Sequence, residues 1–161
     1  MISIEQLTAE KFAPFGDVID YEDPHDAVFL DDTTDIVSDV ACIDATSRKG
    51  RAQVDILRLT PQALPVTIAS VLRNQDATTA FLPVMFYPFL TIVSESHQPP
   101  ESKLLRAFMT NGQQGVNLKA GVWHHRPIAM KRRIKILQLS RNGQGEGACA
   151  VPFKAGVLIG G

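Results

Sequence analysis

The sequence lacks the features that mark membrane, secreted and cysteine-rich metal proteins. It has no run of about 18 apolar residues, so nothing is expected to span a membrane. Its first residues, Met1 to Gln6, carry neither the basic stretch nor the apolar core of a signal peptide. Its two cysteines, Cys42 and Cys149, are far apart and do not form a C-x-x-C spacing. We therefore expect a reduced, cytoplasmic protein.

An excess of charge of one sign is also missing. The net charge is −1 over 161 residues, so the chain has no bulk positive field to hold nucleic acid. The basic run at 131–133 is flanked by apolar residues and is interpreted as a solvated strand edge. The acidic stretch 20–35 lacks the alternating order of a calcium loop and is predicted to be a turn-rich loop. The glycines of 141–147 follow G-x-G-x-G rather than G-x-G-x-x-G, which favours a turn over a phosphate loop.

Short segments of alternating apolar and polar residues dominate the chain. One short helix is expected from Thr8 to about Phe12, before Pro14. Neither an internal repeat nor a linker divides the sequence, so residues 1–161 are predicted to form one mainly β domain, an antiparallel sandwich or barrel. Strands are expected at 16–19, 37–43, 53–59, 79–85, 86–93, 104–110 and 134–139. The segment 67–73 fits either a strand or a helical turn, and the tail from 151 fits either a last strand or an ordered C-terminal strap.

The stretch 111–127 differs from the scaffold around it. It holds three of the eleven glycines, the only tryptophan and two of the four histidines. Alternation along a strand places His124 and His125 on opposite faces, so only one should look into the barrel. Histidine titrates near neutral pH, which makes either side chain a candidate acid or base. A hydrogen-bonded core residue is the alternative interpretation of each.

A small β-barrel has a mouth that can hold one small ligand, lined by inward polar residues of its strands. The candidates for the pocket lining are His124, His125, Asn117, Lys119, Arg106 and Thr79. These residues also have structural interpretations: Arg106 could be an outward strand charge and Asn117 a turn former. The neighbouring Trp123 could be a wall of the core.

Several segments resemble the ureidoglycolate lyase family, formerly called ureidoglycolate hydrolase. They are Phe15-Gly16-Asp17-Val18-Ile19, Ala80-Phe81-Leu82-Pro83, Leu105-Arg106-Ala107-Phe108, Thr110-Asn111-Gly112, Gln114-Gly115-Val116-Asn117 and Val122-Trp123-His124-His125. The resemblance runs in order over nearly the whole chain. It implies a cupin-like antiparallel β-barrel with one or two short helices, usually a homodimer. It also implies cleavage of ureidoglycolate to glyoxylate and urea, a late step of allantoin (purine) breakdown.

That reaction needs a base for the hydroxyl proton and an acid for the departing urea nitrogen. We assign these roles first to His124 and then to His125, with Lys119 as a further base or clamp. Arg106, Lys119 or Arg58 is expected to supply a cation for the substrate carboxylate. The set of expected substrate contacts is Arg106, Asn117, Arg58, Thr79 and Trp123.

The chain also departs from the family at polar positions. The glutamine that precedes the family's Ala-Phe is Thr79 here, and the family's acidic-Arg-His-Pro turn is Leu72-Arg73-Asn74-Gln75. These changes favour an alternative, a non-catalytic or substrate-shifted cupin-like protein that binds a small molecule. Gly121-x-x-His124 sits like the second cupin motif, but the first, with its H-x-H, is missing. One histidine is too few ligands for a stable site, so neither a metal nor another cofactor is expected.

Overall fold

The computed structural model describes residues 1–22, 27–142 and 149–160, and these ranges are mostly β-strand. One α-helix, α1 (Ala9–Phe12), and two single-turn 3-10 helices (Ser47–Lys49 and Ser102–Leu104) accompany the strands. The predicted mainly β class with few short helices is therefore confirmed. The strands are β1 (Ile4–Gln6), β2 (Gly16–Asp20), β3 (Ala27–Asp31), β4 (Thr34–Val37), β5 (Arg51–Leu59), β6 (Val66–Arg73), β7 (Thr79–Pro83), β8 (Phe89–Ser94), β9 (Arg106–Met109), β10 (Gln114–Leu118), β11 (Trp123–His124), β12 (Ile128–Ala129), β13 (Ile134–Asn142) and β14 (Cys149–Ile159).

The strands form two large sheets and one separate hairpin. The seven-stranded sheet has the order β1-β9-β8-β11-β6-β14, with β12 beside β8, and the five-stranded sheet has the order β2-β10-β7-β13-β5. Strands β3 and β4 pair only with each other among the described residues. No strand pairing joins the two large sheets in these ranges, so the cupin-like fold is a sandwich rather than a closed barrel.

Two apolar clusters bury the two faces of the seven-stranded sheet. The first lies between the sheets, where Phe89 and Phe108 meet Phe81 and Ile136 of the five-stranded sheet. The second covers the opposite face and includes Leu90, Ile92, Leu105, Ala107 and Trp123. Successive side chains of a strand point to opposite faces, which explains why neighbours such as Phe89 and Leu90 belong to different clusters.

Most predicted elements are present, and the exceptions have local causes. The helix begins after Thr8, whose hydroxyl accepts a hydrogen bond from the backbone N–H of Lys11 at 3.3 Å. The segment 67–73 is strand, within β6. The predicted strand 37–43 is wrong, because pairing ends at Val37 and the following residues have no strand partner.

Two predictions fall partly outside the described residues. The acidic stretch, apart from 23–26, contains the β3–β4 hairpin rather than a plain loop. Of the predicted glycine-rich turn at 141–147, residues 141 and 142 belong to β13, and 143–147 lie outside the described ranges. Within those ranges, no helix is long and apolar enough to cross a membrane.

Candidate active site between the sheets

His124 lies between the two sheets. Its strand, β11, is only two residues long, and His124 pairs there with Leu72 of β6 and Val93 of β8. The imidazole is 2% exposed, and its ring centroid lies 5.9 Å from that of Phe81 on the opposite sheet. The side chain therefore points from the seven-stranded sheet toward the five-stranded one.

The chain reaches this position through a tight turn after β10. Gly121 has a φ of 82°, in the left-handed region that favours glycine, and its N–H donates to the carbonyl of Asn74 at 2.7 Å. After the strand, the N–H of His125 donates to the carbonyl of Ile92 at 3.0 Å. These backbone bonds on both sides fix the entry and exit of β11, and with them the position of His124.

One hydrogen bond determines the protonation of His124. Its Nδ1 lies 3.0 Å from the carbonyl oxygen of Val122. A carbonyl oxygen can only accept, so Nδ1 carries the proton and Nε2 carries the lone pair. Among the described residues Nε2 has no hydrogen-bond partner, which leaves it available to a ligand.

Burial keeps this imidazole neutral. The removal of water lowers the pKa of His124 to about 4, and the charges of His125 and Arg126 act in the same direction. The hydrogen bond to Val122 opposes this lowering only in part. At neutral pH His124 is therefore an uncharged proton acceptor, with a conjugate acid that gives its proton back readily.

The inner face of the five-stranded sheet is apolar at one end and polar at the other. The change occurs at the row of cross-strand partners that contains Phe81, the residue next to His124. Phe81 pairs with Gln138 of β13, and Gln138 pairs with Asp55 of β5. One end of this inner face carries Ile134, Ile136, Leu57 and Leu59, which pack on the core between the sheets. The other end carries Gln138, Ser140, Asp55 and Gln53 on the same side of the same two strands.

Hydrogen bonds order this polar row. The Nε2 of Gln53 donates to both carboxylate oxygens of Asp55, at 2.8 and 2.9 Å. Gln138 donates to Ser140 through a long contact of 3.5 Å. No cation among the described residues pairs with the Asp55 carboxylate. The row thus presents one ordered carboxylate and one weakly engaged amide.

Sequence reasoning missed Asp55 and Gln138 because it treated β5 and β13 only as scaffold. A signal was present in both strands. Every second residue is apolar over one half of the strand and polar over the other, as in Gln53-x-Asp55-x-Leu57-x-Leu59 and Ile134-x-Ile136-x-Gln138-x-Ser140. A strand face that turns from apolar to polar in this way marks the point where the core between the sheets ends.

Among the other predicted site residues, Thr79 shares the inner face with His124. It is 6% exposed. Because Thr79 precedes Phe81 by two positions in β7, the two side chains point to the same face. Asn117 is buried elsewhere, and its amide donates to Asp17 at 3.2 Å and to the carbonyl of Cys42 at 3.0 Å. That contact ties the irregular segment after β4 to β10 and gives Asn117 a structural role.

Arg58 and Trp123 lie on faces that His124 does not share. Arg58 is exposed and alternates with the inward residues of β5, so its side chain points away from the core. Trp123 is 1% exposed in the second cluster, where the guanidinium of Arg73 lies 4.5 Å from its ring centroid. The structure therefore does not bring these two residues to the histidine.

Arg106 is engaged by an acidic partner. Its Nε and one terminal nitrogen donate to the two carboxylate oxygens of Glu5 at 2.9 and 2.8 Å. The same guanidinium lies 4.7 Å from the ring centroid of Phe108. The hydrogen bond from Arg106 is the main cause that lowers the pKa of Glu5. This geometry ties β1 to β9 and already satisfies much of the arginine's charge.

Lys119 and Arg106 line adjoining clefts at the same end of the sandwich. Lys119 borders a cleft of about 280 Å³ together with Gln75 and Val122, the residue whose carbonyl holds His124. Arg106 borders a neighbouring cleft of about 510 Å³, and the two share Pro14, Glu95, Ser96 and His97. The Lys119 ammonium donates to the carbonyl of Ala13 at 2.7 Å, a single contact with a neutral group.

His125 follows β11 and is half-buried. Its Nδ1 lies 2.7 Å from the carbonyl of Arg126, so this nitrogen is the donor. Burial lowers the pKa of His125, and the charge of Arg126 adds to the effect. Among the described residues, no group of three or more His, Cys, Asp or Glu side chains is placed to hold a metal ion.

Comparisons with known proteins identify the family of this chain. The family model for ureidoglycolate lyase matches residues 1–159. A ureidoglycolate lyase of Pseudomonas fluorescens (strain Pf0-1) is 35% identical over 144 residues, which cover 89% of this chain and 86% of the relative. A ureidoglycolate lyase of Pseudomonas savastanoi pv. phaseolicola is 37% identical over 142 residues, or 88% of this chain and 84% of the relative.

A solved structure, a dTDP-4-dehydrorhamnose 3,5-epimerase from Bacillus anthracis, overlaps 83% of each chain with a TM-score of 0.46 and 12% identity. That similarity is too low to bear on fold or function. The family match extends over nearly the whole sequence, and it includes the stretch that carries His124. The chain belongs to the ureidoglycolate lyase family.

Proposed function

We propose that this protein cleaves ureidoglycolate to glyoxylate and urea, with His124 moving the proton. The neutral, buried imidazole of His124, with its unpartnered Nε2, is the observation that carries the proposal. Membership of the family and the names of the relatives supply the substrate and the reaction type.

In the first step His124 acts as the base. Nε2 takes the proton of the substrate hydroxyl, and the oxygen's electron pair forms the carbonyl of glyoxylate while the carbon–nitrogen bond breaks. The bonding pair leaves on the urea nitrogen. The nearby Phe81 ring and the apolar core exclude water from the imidazole, which strengthens hydrogen bonds within the site.

In the second step the protonated His124 acts as the acid. Because burial disfavours the imidazolium, this form loses its proton readily to the departing nitrogen, which completes urea and restores the neutral imidazole. One residue therefore serves both steps, and neither needs a covalent intermediate. His125 and Thr79 are proposed to assist as secondary acid or base and as a substrate contact, respectively.

Lys119 is proposed to bind the substrate carboxylate. The ammonium has three donors, and the described contacts use one of them on a neutral carbonyl. By contrast, Arg106 is paired with Glu5, and Arg58 points away from the core. The cleft beside Lys119 includes Val122, two residues before His124 in the chain. We therefore assign the carboxylate to this cleft.

We also propose that the protein works as a cytoplasmic homodimer in allantoin breakdown. The β3–β4 hairpin exposes large apolar side chains, with Val28 61%, Phe29 76% and Leu30 63% accessible. Such a cluster suits a subunit contact. Both cysteines are free, which suits a reducing compartment. Light scattering coupled to gel filtration should give twice the chain mass for wild type and a smaller species for Phe29→Asp.

The central experiment measures glyoxylate released from ureidoglycolate by wild type and by His124→Ala. The variant should lose at least about 100-fold in kcat, the usual contribution of a positioned acid or base. Lys135→Ala, an exposed change on the outer side of β13, is the matched control and should keep wild-type turnover. Absence of turnover in wild type, together with tight binding of the substrate, would favour the non-catalytic or substrate-shifted alternative. Full turnover in His124→Ala would refute the role of this histidine.

A further inference from the structure

We infer that a separate pocket, remote from His124, binds a small organic acid with an aromatic body. The cavity has a volume of about 320 Å³, at the lower end of the usual range of small-molecule sites. The inference rests on this cavity and does not depend on the proposed reaction. The residues that line it are Tyr87, Pro88, Met109, Met130, Lys131, Arg132 and Ile134.

The pocket lies at the end of the sandwich opposite the Lys119 cleft. Tyr87 and Pro88 come directly before β8, whereas residues 95–97, which follow β8, border the clefts of Lys119 and Arg106. Strands rise about 3.3 Å per residue, so the length of β8 separates the two ends by roughly 17 Å. A ligand in this pocket therefore occupies a site of its own.

The wall of the pocket is apolar and suits an aromatic ring. Ile134 belongs to the cluster between the sheets and Tyr87 packs against it, while Met109 and Met130 pack against the cluster on the opposite face. The two clusters thus reach the surface at this place. Methionine side chains adapt their shape and make favourable contacts between sulfur and aromatic rings, and Tyr87 adds a ring of its own.

Two cations border this wall without an acidic partner. Lys131 and Arg132 lie in the connection between β12 and β13, and no carboxylate among the described residues pairs with either of them. None of the residues that line the cavity is acidic. The pocket therefore has a positive charge that nothing in the described part of the chain neutralises.

The contact between Arg132 and Tyr87 orients one of these cations. The guanidinium lies 4.6 Å from the ring centroid of Tyr87, and one terminal nitrogen donates to the phenol oxygen at 2.9 Å. Arginine has five N–H donors, so most of them stay available to a ligand. The Lys131 ammonium makes no hydrogen bond to the described residues.

The wall and the cations together select an amphipathic anion. Lys131 and Arg132 are exposed, so solvent and salt screen their attraction for a bare anion such as phosphate. The apolar wall supplies the rest of the affinity when the anion carries an aromatic body. A carboxylate joined to an aromatic ring by a short alkyl chain meets both requirements.

The test titrates three ligands that share one aromatic body and differ in charge: 4-phenylbutanoate, 4-phenylbutan-1-ol and 4-phenylbutylammonium. NMR spectra of isotope-labelled methionine methyl groups report the binding, since the chain has only four methionines. Met109 and Met130 should show saturable shifts, whereas Met1 and Met85 do not line the cavity and should shift little. The carboxylate should bind with a Kd of about 1 mM, about fivefold tighter than the alcohol, and the ammonium should bind weakest.

Single substitutions separate recognition of charge from the shape of the pocket. Arg132→Gln and Lys131→Gln should each reduce the preference for the carboxylate over the alcohol to about twofold, and neither should change the affinity for the alcohol. Arg133→Gln is the matched control, because it removes the same charge from an adjacent, exposed residue that does not line the cavity. It should keep the fivefold preference. Met130→Trp places a larger side chain in the cavity and should weaken the binding of all three ligands.

Three results would overturn the inference. The first is equal affinity for the three ligands, or no saturable shift of Met109 and Met130. The second is an equal loss of carboxylate and alcohol binding in Arg132→Gln, which would mean that Arg132 only shapes the pocket. The third is an equal loss of preference in Arg133→Gln, which would indicate a general attraction to the basic run. Turnover of ureidoglycolate enters none of these measurements, so the proposed function is tested separately.

Discussion

Trp123 and His124 are neighbours in sequence but serve opposite faces of the seven-stranded sheet. The indole lies in the outer cluster under Arg73, 4.5 Å from the guanidinium, and the imidazole lies in the inner core, 5.9 Å from the ring centroid of Phe81. The tryptophan anchors β11 from behind while the histidine faces the site. This division places a structural role for Trp123 and the proposed chemical role of His124 within two residues.

The pH dependence of turnover should report the lowered pKa of His124. The base must be neutral, so kcat/KM should be flat from about pH 5.5 to 8 and fall as the pH drops through about 4, where the imidazole becomes protonated. Steady-state rates of glyoxylate release, measured only where circular dichroism shows a folded protein, would check this. An acid limb centred near 6.5 would instead indicate a solvated histidine.

The same burial should make the fold sensitive to acid. The pKa of His124 falls from its ordinary value of 6.5 to about 4 on folding, so the unfolded chain binds more protons between these pH values. The associated stability is fully present above about pH 6.5 and is lost progressively toward pH 4, with a total of about 3 kcal/mol.

This loss can be isolated with His124→Phe, which keeps an aromatic ring next to Phe81 but cannot titrate. Urea unfolding at pH 7 and pH 4.5 should show a fall in the free energy of unfolding that is about 2–3 kcal/mol larger for wild type than for the variant. Equal losses in the two proteins would show that other groups cause the acid sensitivity.

The Arg106–Glu5 pair should contribute modestly to stability. The side chains are 37% and 30% exposed, so solvent screens their attraction, while the bidentate geometry and the Phe108 ring favour it. Arg106→Gln and Glu5→Gln should each lower the free energy of unfolding by about 1 kcal/mol. The double variant should cost less than the sum of the two, which urea titration can measure. Strict additivity would mean that the contact contributes nothing.

Lys119→Met should separate binding from chemistry. If Lys119 holds the carboxylate in both ground and transition states, its loss should raise KM about tenfold and change kcat little. Lys119→Arg keeps the positive charge and should restore part of the affinity. A large fall in kcat with an unchanged KM would contradict the assignment and favour Lys119 as an acid or base.

Much of the fold could be predicted because strand alternation is a local property. The segments 53–59 and 134–139 lie within β5 and β13, and the helix after Thr8 has its expected cap. The same rule failed for 37–43, where the residues alternate but no neighbouring strand pairs with them. Alternation shows that a segment can form a strand, whereas pairing depends on distant residues.

The sequence alone determined the mainly β class, the family and His124 as a candidate, since each depends on residue types and their spacing. The tertiary structure decided which face of each strand points into the core between the sheets. It placed Arg58 outward and paired Arg106 with Glu5, 101 residues away. It also aligned Phe81, Gln138 and Asp55 in one row. Register, burial and the resulting pKa arise only when distant segments meet, because the exclusion of water depends on the whole sandwich rather than on any one strand.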